Sequence, residues 1–185
     1  VMNKQQIIIT SPELETIPWL LHGTTTKKFD STEGNKPEDI RRLAEFIEIQ
    51  PNAFLFAEQR HTNHVHFHKD KTGSLSGEMI SIPDTDAVGT GNQGTLAMVY
   101  TADCVPILLL DTVLKQFMLI HAGWRGTYER IVRNAVEALK NHGTDPVNLI
   151  AWIAPAIGVC CYEVSPELAE KFKEQSILTL EETLD

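Results

Sequence analysis

Residues 96–126 decide the fold of this chain, and they read LAMVYTADCVPILLLDTVLKQFMLIHAGWRG. Two apolar runs, at residues 96–100 and 105–111, flank a polar turn, and a third run covers residues 117–120. Apolar runs of this length between turn residues are typical of buried strands. Several strands therefore follow one another without an intervening helix, which favours an α+β architecture over a doubly wound one.

Helices and further strands are predicted on both sides of this region. Apolar residues at positions 40, 43, 44 and 47 have helical spacing and follow a helix-start signal at residues 35–37. A second helix is expected to begin at a Thr127 cap and to end near Gly143, and a third is expected to begin at residues 165–167. Further strands are predicted at residues 7–10, 53–57, 64–68 and 148–153. We therefore expect one domain over residues 1–185, with a mixed β-sheet and flanking helices.

The composition excludes several classes of protein. The chain has 185 residues, of which 42% are hydrophobic and 22% are charged, and its formal net charge is -9. These values exclude a disordered chain, a collagen-like fibre and a coiled coil. The negative charge disfavours general binding to nucleic acid or to an anionic membrane. Three cysteines, no signal-peptide pattern and no apolar run of bilayer length lead us to expect a cytoplasmic protein.

The strongest chemical signal is a cysteine and a histidine at the ends of predicted strands. Cys104 precedes one strand, His121 follows another, and the segment after His121 carries two glycines and Arg125. A thiolate beside an imidazole is an activated nucleophile, whereas a thiolate with two imidazoles forms a zinc site with an open position. A buried cysteine and a hydrogen-bonded core histidine are the structural alternative. The glycines and Arg125 favour a pocket, because they permit close backbone approach and anion binding.

Four of the seven histidines lie within eight residues of one another. His64, His66 and His68 alternate along a predicted strand, so they share a face at a spacing of about 7 Å, which is too wide for a common metal ion. A solvated strand face is the favoured interpretation of these three. His61 stands at the start of the strand and is a candidate third ligand beside Cys104 and His121.

Two further pairs of residues carry weaker signals. Asp84 and Asp86 alternate in an extended segment, where turn capping is favoured over orienting a histidine or assisting a base. The adjacent Cys160 and Cys161 are expected to be buried and structural, because neighbouring cysteines rarely bind one metal ion.

Four motifs together resemble a known family. They are QRH at residues 59–61, TADCVPILL at 101–109, HAGWRGT at 121–127 and APAIGVCCYEV at 154–164. These motifs are similar to the multicopper polyphenol oxidase (laccase) domain family, also called YfiH-like, and the similarity runs from about residue 22 to residue 172. The resemblance implies an α+β sandwich that is distantly similar to cysteine-dependent deamidase toxins. It also implies a C-terminal segment with an arginine beyond residue 185, which this single domain is expected to lack.

The resemblance also implies a metal site and an activity. The family binds zinc through a histidine, a cysteine and a histidine, which correspond to His61, Cys104 and His121. Members resemble purine nucleoside phosphorylases, which cleave adenosine, inosine, guanosine or methylthioadenosine with phosphate to the base and ribose-1-phosphate. Many members also deaminate adenosine, so both transferase and hydrolase activity are implied. An open zinc position suits the activation of water, and too few ligands cluster for a multicopper oxidase, so one zinc per chain is favoured over copper.

Other roles stay open at this stage. Arg125 is a candidate for binding phosphate, and Asp103, Asp86 and Glu163 are candidates for a general acid. The alternative enzyme is a cysteine hydrolase in which Cys104 is the nucleophile and His121 the base. A non-catalytic metal-binding module and a polyphenol oxidase are the remaining alternatives. The residues determine neither the preferred nucleoside nor the oligomeric state.

Overall fold

A computed structural model describes residues 7–29, 36–69 and 77–175. The strands are β1 (Ile8–Ile9), β2 (Thr24–Thr25), β3 (Ala53–Ala57), β4 (Val65–His68), β5 (Glu78–Ile82), β6 (Ala87–Thr90), β7 (Thr95–Met98), β8 (Val105–Asp111), β9 (Gln116–Ala122) and β10 (Leu149–Ile153). The helices are α1 (Lys36–Ile47), α2 (Trp124–Tyr128), α3 (Ile131–Asn141) and α4 (Pro166–Glu174), with short 3₁₀ turns at Leu14–Thr16 and Pro146–Asn148. No helix among these residues is both long and apolar enough to cross a membrane.

The central sheet has five strands in the order β10-β8-β9-β6-β4. Its neighbours are antiparallel except β4 and β6, which are parallel. Strand β8 lies between β9 and β10, and all of its residues except the first are buried, as its apolar sequence predicts. Successive side chains of a strand point to opposite faces. Ile107 and Leu109 accordingly pack with α3 on one face, whereas Leu108 and Leu110 belong to a separate cluster.

A second, three-stranded sheet in the order β5-β3-β7 lies against the first. Its strands are parallel to one another, and every residue of β3 is buried. Phe54 packs with Ile40 and Ala44 of α1, and Leu55 packs with Val88 of β6 in the central sheet. The expected mixed α+β sandwich with flanking helices is therefore confirmed, with β3 between α1 and the central sheet.

The structure corrects several local predictions. Strands β5 and β6 were not predicted; β6 is short and contains Gly89, where a Cβ would lie 2.3 Å from the Phe117 carbonyl oxygen of β9. Thr127 caps no helix but lies inside α2, and Arg130, with φ of 62°, separates α2 from α3. The predicted start signal at Asn35 lies outside the described residues.

Candidate metal centre

Three side chains converge at one edge of the central sheet. The metal-binding atoms of His61, Cys104 and His121 all lie within 4.8 Å of one another. Cys104 directly precedes β8 and His121 lies near the end of β9, and these antiparallel strands pair with Val105 opposite Ala122. His61 comes from the loop between β3 and β4. The fold therefore brings together the three candidate ligands that the sequence analysis identified.

The donor set fits a zinc ion. Two imidazoles and one thiolate are ligands that zinc prefers, and tetrahedral coordination at about 2.0–2.3 Å places ligand atoms roughly 3.3–3.8 Å apart. The ligand atoms of the three residues lie within 4.8 Å of one another, so shifts of about 1 Å would reach those separations. His121 is only 3% exposed, Cys104 is half-buried and His61 is exposed. The cluster is therefore anchored in the protein on one side and open to solvent on the other.

Asp86 is the buried carboxylate that organises this cluster. Its Oδ1 lies 2.7 Å from Nδ1 of His121 and accepts the N–H of His61 at 3.0 Å. Its Oδ2 accepts the N–H groups of Arg60 and Thr62 and the Thr62 hydroxyl, at 3.1, 2.7 and 2.8 Å. Burial alone would raise the pKa of Asp86, but the hydrogen bonds from Thr62, His121 and Arg60 outweigh it and lower the pKa. The favoured assignment of Asp86 as a turn cap was therefore incomplete, because the carboxylate also orients a histidine.

The loop that carries His61 depends on this carboxylate. His61 has φ of 61°, a left-handed conformation that few residues other than glycine adopt. Such a backbone costs on the order of 1 kcal/mol unless surrounding contacts hold it. The turn directs the N–H groups of residues 60–62 toward Asp86. The buried Asp86 carboxylate thus holds both the backbone of His61 and the ring of His121.

The contact with Asp86 also determines which nitrogen of His121 is free. Nδ1 faces the carboxylate at 2.7 Å, so Nε2 is the nitrogen available to a metal ion, a common arrangement in zinc proteins. Burial, together with the charges of His61 and Lys36, lowers the pKa of His121 despite the opposing contact with Asp86. The ring therefore favours the neutral form, which is the form that binds metals.

Two glycines of the HAGWRG motif allow the chain to pass beside the cluster. A Cβ at Gly123 would lie 3.0 Å from Cδ2 of His61 and 3.3 Å from Sγ of Cys104. A Cβ at Gly126 would lie 2.7 Å from the carbonyl oxygen of Thr62. A side chain at Gly126 would press on the backbone of the ligand loop, whereas a side chain at Gly123 would require the His61 ring to shift.

Lys36 is a charged neighbour of the site that the sequence analysis missed. Its Nζ donates to the Ala57 carbonyl oxygen at 2.7 Å and lies 5.4 Å from the centre of the Tyr100 ring. Gln59 joins the same group by accepting the Tyr100 N–H at 2.8 Å and donating to the Tyr100 carbonyl oxygen at 2.6 Å. Burial lowers the pKa of Lys36, and its charge in turn lowers the pKa of His121. No local pattern marks Lys36, because only the packing of α1 beside β3 brings it there.

Among the described residues, none of the remaining histidine and acidic candidates belongs to the metal cluster. His64 bonds to Asp84, with Nδ1 2.9 Å from the carbonyl oxygen and 3.2 Å from Oδ2. His68 is only 8% exposed, so the prediction of a solvated face for all three strand histidines was wrong. His68 lies opposite Thr90 of β6, whose buried hydroxyl donates to the His68 carbonyl oxygen at 2.9 Å. Asp103 and Glu163 are both exposed.

Arg125 and the adjacent cysteines also have defined positions. Arg125 is exposed, and its guanidinium lies 4.4 Å from the centre of the Trp124 ring. Cys160 and Cys161 are both exposed, so the prediction that they are buried was wrong. They lie in the loop after β10, where a turn at Gly158 keeps their side chains out of the core.

Comparison with known sequences agrees with the motifs. The chain is 28% identical over 155 residues to a purine nucleoside phosphorylase of Clostridium acetobutylicum, a match that covers 83% of this chain and 60% of the relative. It is 39% identical over 94 residues to an adenosine deaminase from an unknown prokaryotic organism, covering 51% of this chain and 36% of that protein. The matches therefore cover less than two thirds of the length of these two relatives.

A solved structure shows the same fold. The crystal structure of a hypothetical protein YfiH from Bacillus licheniformis superimposes with a TM-score of 0.67 at 23% identity, over 86% of this chain and 62% of that one. The family model described as multi-copper polyphenol oxidoreductase laccase matches residues 26–183. That match includes all three residues of the metal cluster and the carboxylate behind them. The chain belongs to the multi-copper polyphenol oxidoreductase laccase family.

Proposed function

We propose that this chain belongs to a zinc-dependent purine nucleoside phosphorylase that also deaminates adenosine. The observation that carries the proposal is the cluster of His61, Cys104 and His121, anchored by Asp86 and open to solvent on one side. The printed names of relatives, a purine nucleoside phosphorylase and an adenosine deaminase, supply the reaction classes. The substrates are adenosine, inosine, guanosine or methylthioadenosine, together with phosphate.

The chain's own residues have distinct tasks in this proposal. His61, Cys104 and His121 would hold one zinc ion, which supplies Lewis acidity at the reacting centre. Asp86 keeps the proton of His121 on Nδ1 and holds the His61 loop. Arg125 would bind the phosphate co-substrate, since a guanidinium matches the geometry of phosphate oxygens.

Zinc chemistry is favoured over the cysteine hydrolase. Burial, and then the charges of Asp103 and Asp86, raise the pKa of Cys104. A raised pKa keeps the thiol protonated and makes it a poor nucleophile, whereas a bound cation favours the thiolate. Cys104 is therefore better suited to ligation than to direct attack.

Zinc is also favoured over a multicopper centre. A multicopper oxidase needs a blue-copper site and further copper ions, each with its own set of ligands. The metal cluster that the structure shows within the described ranges consists of His61, Cys104 and His121. One thiolate and two imidazoles, with a side open to solvent, match a catalytic zinc site.

Metal analysis tests the proposal directly. We expect elemental mass spectrometry to find one zinc per chain in the wild type and in the matched Cys160→Ala control, and none in Cys104→Ala. Phosphate-dependent cleavage of inosine should be lost with the zinc.

Zinc without any turnover would support the metal-binding module. No zinc, with rapid alkylation of Cys104, would support the cysteine hydrolase, and several coppers would support the oxidase. Activity that survives Cys104→Ala would refute both the zinc enzyme and the cysteine hydrolase.

Phosphate binding has a separate test. Arg125→Gln should raise the KM for phosphate in inosine cleavage while leaving zinc content unchanged. Adenosine deamination consumes no phosphate, so its rate should be unaffected. An unchanged KM for phosphate would remove Arg125 from the proposal without affecting the metal site.

A further inference from the structure

Cys160 and Cys161 form a second sulfur-containing group, separate from the metal cluster. Both side chains are exposed, and their Sγ atoms are 2.8 Å apart. The N–H groups of Cys161 and Tyr162 donate to the Gly158 carbonyl oxygen at 3.0 and 3.2 Å. This turn brings two adjacent thiols together, whereas successive side chains of an extended chain point in opposite directions.

The sulfur separation favours oxidation over metal binding. Two thiolates on a tetrahedral zinc ion, each about 2.3 Å from the metal, would lie roughly 3.8 Å apart, well beyond the observed 2.8 Å. A disulfide bond is about 2.05 Å long, so only a small further approach is needed. Adjacent Cα atoms are about 3.8 Å apart, closer than in most disulfides. Such a strained and exposed bond is easily reduced again.

We propose that Cys160 and Cys161 are a reversible modification site that a hydroperoxide oxidises to a vicinal disulfide. The Cys160 thiolate attacks the outer oxygen of the peroxide, the O–O bond breaks, and the leaving oxygen takes up a proton as an alcohol or as water. The resulting sulfenic acid is then attacked by the Cys161 sulfur, and water leaves with the Cys161 proton. In total, two thiols lose two electrons and two protons, and the peroxide gains them.

The contact between the sulfurs allows either of them to start the reaction, because either can be the donor. With Cys160 as the attacking sulfur, Cys161 resolves the sulfenic acid. With the roles exchanged, the same bonds form and break. The third thiol, Cys104, is half-buried and belongs to the metal cluster, so it is less accessible than this exposed pair.

Differential alkylation of the whole chain tests this site. The zinc-loaded protein is treated with hydrogen peroxide, and free thiols are blocked with N-ethylmaleimide either directly or after reduction with dithiothreitol. We expect the peptide with both cysteines to lose two hydrogen atoms and take up no label directly, and to take up two labels after reduction. In Cys161→Ser, the sulfenic acid on Cys160 should persist long enough to be trapped by dimedone. In Cys160→Ser, dimedone should trap the sulfenic acid on Cys161 in the same way.

Several results would overturn the proposal. Two labels on the peroxide-treated wild type would show that the pair does not oxidise. Irreversible sulfinic acid, or a disulfide to Cys104 or to another molecule, would show that the pair does not close on itself. Both serine variants replace exposed side chains, and circular dichroism verifies that they fold. The test measures no nucleoside turnover, so its outcome is independent of the proposed function.

Discussion

Replacing Asp86 by asparagine tests how one buried carboxylate supports the metal centre. An asparagine side chain has the same shape but carries one oxygen acceptor and one NH₂ donor. On the Oδ2 side the NH₂ group would face three donors, from Arg60 and Thr62. On the Oδ1 side it would face the His61 N–H and Nδ1 of His121. Neither orientation satisfies every group that the carboxylate satisfies.

The less costly orientation has a consequence for the metal. If the NH₂ group donates to Nδ1 of His121, the histidine proton must move to Nε2. A protonated Nε2 has no lone pair for a metal ion. We therefore expect Asp86→Asn to weaken zinc binding about 10–100-fold, as removal of such supporting groups does elsewhere. The His61 N–H loses its charged acceptor, which should lower the free energy of unfolding of the metal-free protein by about 2–3 kcal/mol.

Zinc competition with a chromophoric chelator measures the first effect, and urea unfolding of the metal-free protein measures the second. Asp84→Asn is the matched control, because Asp84 lies two residues away, is 62% exposed and pairs with the exposed His64. We expect it to change stability by less than about 0.5 kcal/mol and to leave zinc affinity unchanged. If Asp86→Asn binds zinc as tightly as wild type, the argument about the histidine proton is wrong. If its stability is also unchanged, Asp86 does not hold the loop.

Three further substitutions probe other parts of the structure. Gly123→Ala places a Cβ 3.0 Å from the His61 ring, so zinc affinity in the same competition assay should fall at least about tenfold. The control Gly91→Ala adds a contact at 3.5 Å and should bind zinc as tightly as wild type. Equal zinc affinities of Gly123→Ala and wild type would contradict the close approach. His22 accepts a buried backbone N–H on Nε2 at 2.9 Å, and burial lowers its pKa below the ordinary 6.5. As the pH falls below about 6.5, the unfolded chain takes up a proton on His22 before the folded chain does. Urea unfolding should therefore show that wild type loses stability more steeply with falling pH than His22→Gln does. Parallel pH profiles of the two proteins would refute this. Tyr100→Phe removes a hydroxyl that donates to the buried carboxylate of Asp39 in α1 at 2.5 Å. This substitution should lower the free energy of unfolding, measured in urea, by about 1–3 kcal/mol. An unchanged free energy of unfolding would show that the hydrogen bond makes no net contribution to stability.

Local patterns in the sequence were sufficient for much of the fold. The continuous apolar run of β8 predicted a strand buried on both faces, and the helical spacing after residue 37 predicted α1. Both signals depend only on the period with which side chains meet a core. Strand β6 escaped prediction because it has four residues, one of them Gly89, and is buried by pairing on both sides. A short strand that is buried by the strands beside it does not need a long apolar pattern in its own sequence, so the sequence gives little indication of it.

The sequence by itself determined the three candidate ligands, through the residue types at strand ends and through motifs that resemble a family. It did not determine how those ligands are held. Asp86 lies 24 to 26 residues from the N–H groups it accepts and 35 residues from His121, so only the pairing of β6 with β4 and β9 brings them together. The contact of Lys36 with the Ala57 carbonyl oxygen has the same origin in packing. Residue types and their spacing indicate which side chains are able to bind a metal ion. Hydrogen-bond partners and burial depend on contacts between distant parts of the chain, and those contacts exist only in the tertiary structure.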